Sequence, residues 1–262
     1  MNLDLSNKTA LVCGASQGLG LAVAKELALL GANVVLLARN QQKLQAAVAA
    51  MQNNGLQKHS YIAADTSIPA DVKEKVGAFI TAGNPVHILV NNTGGPPSGP
   101  MIQTKTEDLE VAFRSHLLTA HTLAQLTFEG MKQAGYGRII NIVSTSVKQP
   151  INGLGISNTV RAAVANWAKT LANEISSFGI TVNNVLPGYT KTDRLDYLFG
   201  KQADHAGTST DEITKQTIAL IPAKRLGDPE EFAAVVAFLC SPAASYVNGI
   251  NLPVDGGRTG TL

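Results

Sequence analysis

The sequence lacks the features that mark several large classes of protein. It has only two cysteines, Cys13 and Cys240, without the close spacing of a metal site or redox pair, so we expect two small buried side chains. The five histidines are scattered, and the sequence predicts no metal site. Lysine and arginine total 21 against 19 acidic residues, with no basic block, so we expect no nucleic-acid partner.

Long apolar runs are also absent. No stretch of roughly eighteen residues is continuously apolar, and residues 1–8 lack the basic start and apolar stretch of a secretory signal. We therefore expect a cytoplasmic protein with no membrane partner. Hydrophobic residues make up 45% of the chain and charged residues 15%, which suits a large core and argues against disorder. A length of 262 residues is ordinary for one α/β domain.

Short aliphatic runs alternate with longer helical patterns along the chain. The predicted strands are Lys8–Cys13, Asn33–Ala38, Ser60–Ala64, Val86–Val90, Arg138–Val143, Thr181–Leu186 and Ile250–Val254. The predicted helices are Gly18–Leu30, Gln41–Asn54, Ala70–Ala82, Glu107–Gln133, Asn158–Phe178 and Asp228–Cys240. Strands that are apolar throughout are covered on both faces, and this alternation requires right-handed crossovers. The pattern predicts an α/β fold, a single-domain Rossmann doubly wound parallel sheet of about seven strands with helices on both faces.

A glycine-rich turn, residues 13–20, separates the first predicted strand from the first predicted helix. Glycines permit a tight turn and a close approach of the backbone to a pyrophosphate, which rests on the N-terminal amides of the following helix. The turn therefore predicts a dinucleotide site. Its expected cofactor-binding residues are Gly14, Ser16, Gln17, Gly18, Leu19 and Gly20.

The spacing Gly-x-x-x-Gly-x-Gly in this turn resembles that of the short-chain dehydrogenase/reductase family, and the resemblance covers nearly the whole chain. Further segments similar to family motifs follow in order, namely Asp65-Thr66, Asn91-Asn92-Thr93-Gly94, Asn141-Ile142-Val143-Ser144, Pro187-Gly188-Tyr189-Thr190-Lys191-Thr192 and Val254-Asp255-Gly256-Gly257. The resemblance implies that Asp65 and Thr66 contact the adenine. It implies further cofactor contacts from Asn92, Thr93, Gly94, Arg161, Pro187, Gly188, Thr190 and Thr192.

The charge after the second predicted strand indicates which dinucleotide binds. An NAD-selective site places Asp or Glu there to hold the ribose 2′-hydroxyl. This chain has Arg39, whose guanidinium is able to clamp a 2′-phosphate with two hydrogen bonds, and Lys43 one turn further on. Gln17 departs from the basic residue often found in the glycine turn of NADP-binding relatives. We expect NADP(H); the alternative for Arg39 is a solvated surface charge.

The catalytic positions depart from the family's pattern. The family orients the carbonyl with a serine, which Ser144 matches, and donates the proton from a tyrosine that is followed four residues later by a lysine. Counting the usual thirteen residues onward from Ser144 reaches Ser157, and four more reach Arg161. A serine hydroxyl is a far weaker acid than a phenol, and arginine releases no proton near neutrality. Arg161 is still able to hydrogen-bond a ribose, so proton delivery requires another group.

Two other residues are candidate proton donors. His116 occupies the place where the family has an asparagine that holds a relay water, and histidine titrates in the useful range. The alternative for His116 is a hydrogen-bonded core residue. Lys148, in the loop after the fifth predicted strand, is the preferred substitute if it faces the pocket; otherwise it is a solvated loop lysine. A second Tyr-x-x-x-Lys pattern, Tyr197 to Lys201, lies outside this region and is interpreted as coincidental.

Two functions are compatible with these motifs. The first is an NADPH-dependent carbonyl or 3-oxoacyl reductase, or the reverse alcohol dehydrogenase, acting on a small molecule under a substrate lid at about 191–217. The second is an NADP(H)-binding protein with lost or altered catalysis, acting as a sensor or assembly partner. Ser144 and the polar lid favour the first, and the segment 145–161 resembles a divergent 3-oxoacyl-[acyl-carrier-protein] reductase-like branch. The resemblance also implies a homotetramer, or a homodimer, joined through the long helices.

Overall fold

The computed structural model describes residues 1–261, in which seven strands form one parallel sheet. The strands are β1 (Thr9–Cys13), β2 (Asn33–Ala38), β3 (Ser60–Ala63), β4 (Ile88–Asn91), β5 (Gly137–Ile142), β6 (Ile180–Pro187) and β7 (Asn251–Val254). Their order is β3-β2-β1-β4-β5-β6-β7, so the chain winds outward from β1 in one direction and from β4 in the other. This confirms the predicted doubly wound sheet, and the reversal between β1 and β4 is where such sheets bind ligands.

Helices cover both faces of the sheet. They are α1 (Gly18–Leu29), α2 (Gln41–Ala49), α3 (Pro69–Thr81), α4 (Thr106–Phe113), α5 (Thr119–Gln133), α6 (Gly155–Ile175), α7 (Asp193–Ala206), α8 (Thr210–Ala219) and α9 (Pro229–Cys240). Successive strand residues point to opposite faces, so Val12 packs in the core beneath α1 and α9 while Leu11 packs in the core beneath α3, α5 and α6. Two buried faces explain why the strands are apolar at every position.

Two predicted helices are interrupted or shortened in the structure. The helix expected over Glu107–Gln133 is interrupted by a π turn at Arg114–Leu118, which separates α4 from α5. The helix expected to reach Asn54 ends at Ala49. The side chains of Asn53 and Asn54 accept hydrogen bonds from the backbone two residues on, which stabilises a turn instead of a helix.

The expected lid is helical and contains α7 and α8. Both helices begin at a hydroxyl cap, because Thr192 accepts a hydrogen bond from the amide of Leu195 and Ser209 accepts one from the amide of Glu212. The Ser-x-x-Glu spacing at residues 209–212 is a recognisable helix start. The signal for α8 was therefore present in the sequence.

A row of asparagines crosses the sheet from β4 to β7. Asn91, Asn141, Asn184 and Asn251 are register partners on neighbouring strands. Each Nδ2 donates to the Oδ1 of the next side chain, at 2.9, 2.9 and 2.8 Å. Asn141 and Asn184 are only 1% and 2% exposed, so the ladder satisfies amide groups that would otherwise be buried without partners. The ladder holds four neighbouring strands in one register.

No helix within residues 1–261 is both long enough and apolar enough to cross a bilayer. Across the same residues, histidine, cysteine, aspartate and glutamate form no group of three or more that suits a metal ion. Cys13 and Cys240 are buried free thiols, as expected, and burial raises the pKa of each to about 12.

Replacing Asn141 with alanine tests the ladder. Asn141→Ala leaves the Nδ2 of Asn91 and the Oδ1 of Asn184 buried without partners, at a cost of about 1–3 kcal/mol for each group. We expect the free energy of unfolding to fall accordingly in urea denaturation at fixed protein concentration. The control is Asn173→Ala, at an exposed position of α6, which should change stability by less than about 0.5 kcal/mol. Equal stability losses in the two variants would contradict a structural role for the ladder.

Candidate active site

A cavity of about 340 Å³ lies at the edge of the sheet where the strands end, beside the reversal between β1 and β4. The structure brings most of the predicted site residues onto its wall. They are Gly14, Gln17, Gly18, Leu19, Asn92, Thr93, Gly94, Ser144, Ser157, Arg161, Pro187, Gly188, Thr190 and Thr192. The residues come from separate turns that follow β1, β4, β5 and β6, because the ends of parallel strands meet at one edge.

The glycine turn is packed so tightly that side chains are excluded. Gly14 has φ +59°, and a Cβ there would lie 2.6 Å from Nδ2 of Asn92. A Cβ on Gly20 would lie 2.4 Å from the carbonyl oxygen of Gly14. Asn92 holds the turn by donating from Nδ2 to the carbonyls of Cys13 and Gly14, both at 3.3 Å. The backbone at the start of α1 is thereby left open to the cavity, whereas Gly20 is buried behind the turn.

Basic groups gather on the outer side of the glycine turn. Arg39 is exposed directly after β2. The Nζ of Lys43 donates to Oε1 of Gln17 at 2.7 Å, and Nε2 of Gln17 donates to Oδ2 of Asp193 at 3.3 Å. Asn40 caps α2 by accepting from the amide of Lys43 at 2.9 Å, which fixes the turn that carries Arg39. Lys43 therefore brings positive charge to the glycine turn through Gln17.

Asp65 and Thr66 lie outside the wall of the main cavity. Asp65 accepts through one carboxylate oxygen from the amide and the hydroxyl of Ser67, both at 2.8 Å. The carbonyl of Thr66 accepts from the hydroxyl of Thr119 at 2.8 Å. These bonds shape the turn that leads into α3. The contact of Asp65 and Thr66 with an adenine stays a prediction, as does the role of Ser16, which also lies off the cavity wall.

The two serines face the cavity from neighbouring elements. Ser144 ends the extended segment after β5, and its Oγ accepts from the amide of Ser146 at 3.1 Å, which leaves its hydroxyl hydrogen free to donate. Ser157 lies in the first turn of α6, and its hydroxyl has no hydrogen-bond partner within residues 1–261. Asn158 positions this turn through two hydrogen bonds with the backbone of Ile151. Its Oδ1 accepts from the amide at 3.3 Å, and its Nδ2 donates to the carbonyl at 2.9 Å.

Arg161 lies one helical turn beyond Ser157, at the base of the cavity, and is only 9% exposed. Its Nη1 donates to the carbonyl of Ile142 at 2.7 Å, whereas its buried Nε has no partner among the described residues. Burial, with a smaller contribution from the positive charge of Arg194, lowers the pKa of Arg161 to about 10. The guanidinium therefore stays protonated at neutral pH and supplies positive potential to the site.

A small cavity of about 20 Å³ adjoins the main one and shares Arg161 with it. His116 lines it from the π turn, an irregularity that is frequent at functional sites, and its Nδ1 forms a short hydrogen bond with the hydroxyl of Thr93. Burial and the positive charge of Arg161 lower the pKa of His116 to about 2. His116 is therefore neutral at physiological pH, which corresponds to the alternative of a hydrogen-bonded core residue, and its role in catalysis stays a prediction.

Lys148, the preferred proton donor in the sequence analysis, lies on the wall of neither cavity. It is half-buried in the loop after β5, which corresponds to the alternative of a loop lysine. Tyr197 and Lys201 lie exposed on α7, also off both walls, with the ammonium 6.0 Å from the ring centre. This placement agrees with the interpretation of that pattern as coincidental.

Sequence reasoning missed two arginines on the cavity wall. Arg194, in the first turn of α7, donates from Nη2 to the carbonyl of Pro96 at 3.0 Å. Arg258, which follows β7, lies over the ring of Tyr189 at 4.8 Å from its centre. Neither belongs to a recognisable motif, because both reach the site only through the folding of the lid and the C-terminal segment. The sequence around Arg194 and Arg258 contains no pattern of residues that predicts a binding site.

Comparison with known proteins agrees with this geometry. A family model described as enoyl-(acyl carrier protein) reductase matches residues 14–259. The 3-oxoacyl-[acyl-carrier-protein] reductase FabG of Vibrio cholerae is 35% identical over 257 residues, which cover 97% of this chain and 98% of the relative. Gluconate 5-dehydrogenase of Gluconobacter oxydans is 33% identical over 259 residues, which cover 99% and 97% respectively.

Solved structures are similar along the whole chain. The L-sorbose reductase of Gluconobacter frateurii, in complex with NADPH and L-sorbose, has a TM-score of 0.93 at 30% identity, with 100% of both chains covered. YwfH, an NADPH-dependent reductase involved in bacilysin biosynthesis, has a TM-score of 0.91 at 28% identity, covering 98% of this chain and 100% of its own. The family model and the full-length relatives together establish that this chain belongs to the short-chain dehydrogenase/reductase family.

Proposed function

We propose that this protein is an NADP(H)-dependent oxidoreductase that reduces a ketone or 3-oxoacyl group, or oxidises the corresponding alcohol, by hydride transfer. The observation that carries the proposal is the single cavity in which the glycine turn, Ser144, Ser157 and Arg161 meet. Its relatives include the NADPH-dependent reductases named above, which supports the same chemistry.

The residues present fit a dinucleotide with an additional phosphate. Gly14 and Gly20 leave no room for side chains, so the backbone amides at the start of α1 are open to a pyrophosphate. Arg39 is exposed and outside the ion pairs formed within residues 1–261, and Lys43 reaches the same turn through Gln17. Two cations and no carboxylate directly after β2 suit a 2′-phosphate.

Ser144 and Arg161 would stabilise the charge that develops on the substrate oxygen. The bound cofactor supplies a hydride to the carbonyl carbon, so that negative charge grows on the oxygen. Ser144 is preset to donate a hydrogen bond there, because its lone pair already accepts from the amide of Ser146. Arg161 contributes a positive potential that burial strengthens, since water is excluded around its guanidinium.

Proton delivery falls to hydroxyl groups and water. A serine hydroxyl is a weak acid, but Ser157 lines the main cavity and the product alkoxide is basic enough to take its proton. The serine alkoxide then recovers a proton from a water molecule that enters the main cavity, and the hydroxide formed is neutralised by a proton from bulk solvent. His116 donates no proton in this scheme, because it is already neutral.

The second function, an NADP(H)-binding protein without turnover, rests on the replacement of the family's tyrosine and lysine by Ser157 and Arg161. A screen with NADPH against ketones, diketones, sugars and acyl thioesters separates the two functions. Binding of NADPH without oxidation across that panel would favour the second function.

We propose that the protein forms a homotetramer, or a homodimer, whichever function it has. Val111 and Leu118, just before and within the π turn, are both about half exposed, which supports a contact between subunits there.

Arg39→Asp tests the choice of cofactor. A carboxylate at this position repels a 2′-phosphate and is able to bind a ribose 2′-hydroxyl, so we expect affinity for NADPH to collapse relative to NADH. Fluorescence titration with both cofactors measures the ratio. Lys58→Asp makes the same charge change at an exposed position before β3. Lys58 lies where the strands begin, whereas Arg39 lies where they end, so this variant should leave the ratio unchanged. An unaltered ratio in Arg39→Asp would remove Arg39 from cofactor recognition.

Ser144→Ala tests the hydrogen bond to the substrate oxygen. Loss of one such donor lowers kcat roughly 10²-fold in other enzymes, whereas NADPH affinity should stay within about 2-fold. Ser146→Ala is the matched control, because its hydroxyl lies in the same turn, is buried without a partner and does not line the cavity. Stopped-flow and steady-state rates under saturating NADPH give the comparison. Equal rates in Ser144→Ala and the wild type would exclude this role.

The pH dependence of turnover tests the assignment of His116. A histidine acting as general acid must be protonated, so its contribution to the rate falls as pH rises through its pKa. With a pKa of about 2, His116 contributes no such fall between pH 5.5 and 8.5. We expect the profiles of wild type and His116→Asn to have the same shape over that range. A fall near pH 6.5 that disappears in His116→Asn would make His116 the proton donor.

A further inference from the structure

Three guanidinium groups line the same cavity without a carboxylate partner. Arg161 comes from α6, Arg194 from α7, and Arg258 from the segment after β7. The ion pairs formed within residues 1–261 join other residues. Lysine and histidine are absent from the described wall of this cavity, so its positive charge comes from arginine alone.

Each arginine is held in place by contacts that do not neutralise it. The Nη1 of Arg161 donates to the carbonyl of Ile142, and Nη2 of Arg194 donates to that of Pro96. Arg258 packs over the ring of Tyr189. The buried Nε atoms of Arg161 and Arg258 both lack a partner among the described residues. Burial of a positive charge with an unsatisfied hydrogen-bond donor raises the free energy of the folded protein, unless an anion or another acceptor binds that donor.

The one carboxylate on the described wall lies toward the cofactor end. Asp193 accepts from Nε2 of Gln17 in the glycine turn. Cofactor phosphates have their own sites in the proposed function, the pyrophosphate at the start of α1 and the 2′-phosphate at Arg39 and Lys43. Arg161 is assigned to the charge that develops on the substrate oxygen, so Arg194 and Arg258 are left for a negative charge that the substrate itself carries.

We propose that the substrate is a small oxo acid, or the corresponding hydroxy acid, whose carboxylate is bound by Arg194 and Arg258 while its carbonyl oxygen lies at Ser144. The inference rests on the proposed function, and Arg161 lines the same cavity. Guanidinium groups bind carboxylates through paired hydrogen bonds. A thioester carbonyl is uncharged, and the phosphate of a carrier arm is many bonds away from the reacting carbonyl, outside a cavity of this size. The arginines thus favour a free acid over an acyl thioester.

Matched acid and ester substrates test the proposal. Wild-type protein with NADPH is assayed against oxo acids of about three to eight carbons, their methyl esters, and the N-acetylcysteamine thioester of acetoacetate. We expect kcat/KM for the preferred acid to exceed that of its ester roughly 10-fold or more, the effect of one charge-assisted contact. Equal or higher values for esters or thioesters would overturn the proposal while leaving the proposed reductase intact.

Arg194→Gln and Arg258→Gln locate the carboxylate. Each should lower kcat/KM for the acid roughly 10-fold while changing that for the ester by less than about 2-fold. Lys201→Gln is the control, because it removes one positive charge from an exposed position of the same helix as Arg194. NADPH dissociation constants are measured for every variant. Parallel losses for NADPH and acid would assign the arginines to the cofactor and overturn the proposal.

A binding readout separates this proposal from the reductase proposal. Thermal shift of the NADP⁺ complex is recorded with each acid and its ester. Stabilisation by an acid, absent with its ester and lost in Arg194→Gln, supports the carboxylate site even if no turnover is found. Stabilisation by neither compound overturns the carboxylate site, and absence of any NADPH binding overturns the reductase proposal itself.

Discussion

Parallel pairing in one register is the constraint on which the whole site depends. Because every strand runs in the same direction, the turns after β1, β4, β5 and β6 meet at one edge, although they are distant in sequence. The asparagine ladder fixes that register across four strands through side chains rather than backbone alone. Since a slip by one residue would turn each ladder amide to the other face, the ladder also fixes which residues reach the cavity.

Electrostatics differ at the two ends of the cavity. Toward β2 the cations are solvent-exposed and suit a ligand that binds from water. At the base, Arg161 is buried and stays charged, which keeps a positive potential there. Burial, together with the charge of Arg161, lowers the pKa of His116, so a residue whose side chain usually titrates near neutrality acts here as a neutral hydrogen-bonding group. The charge at residue 161 therefore contributes to the neutral state of residue 116.

The sequence was sufficient for the sheet, the glycine turn and the serines, because hydrophobic periodicity and fixed spacing encode local structure. Ser144 and Ser157 were placed correctly on the cavity by counting along the chain. The sequence was insufficient to predict whether Lys148 faces the pocket, because the direction of a loop side chain depends on the residues packed around it. The arginines at 194 and 258 were missed for the related reason that tertiary folding of the lid and of the C-terminal segment brings them together. The pKa of His116 depends on burial and on a charge from another helix, and neither is local in sequence.

The π turn at Arg114–Leu118 has a consequence for the long helix as a whole. A π turn holds one residue more than an α turn, and one residue corresponds to about 100° of rotation. The two halves of the helix are therefore out of phase, so that Ala112 packs against α6 while Leu123 faces the core beside the sheet. Substitutions within the segment keep this phase, whereas a one-residue deletion would rotate all of α5 against its neighbours. This part of the chain therefore tolerates substitutions better than insertions or deletions.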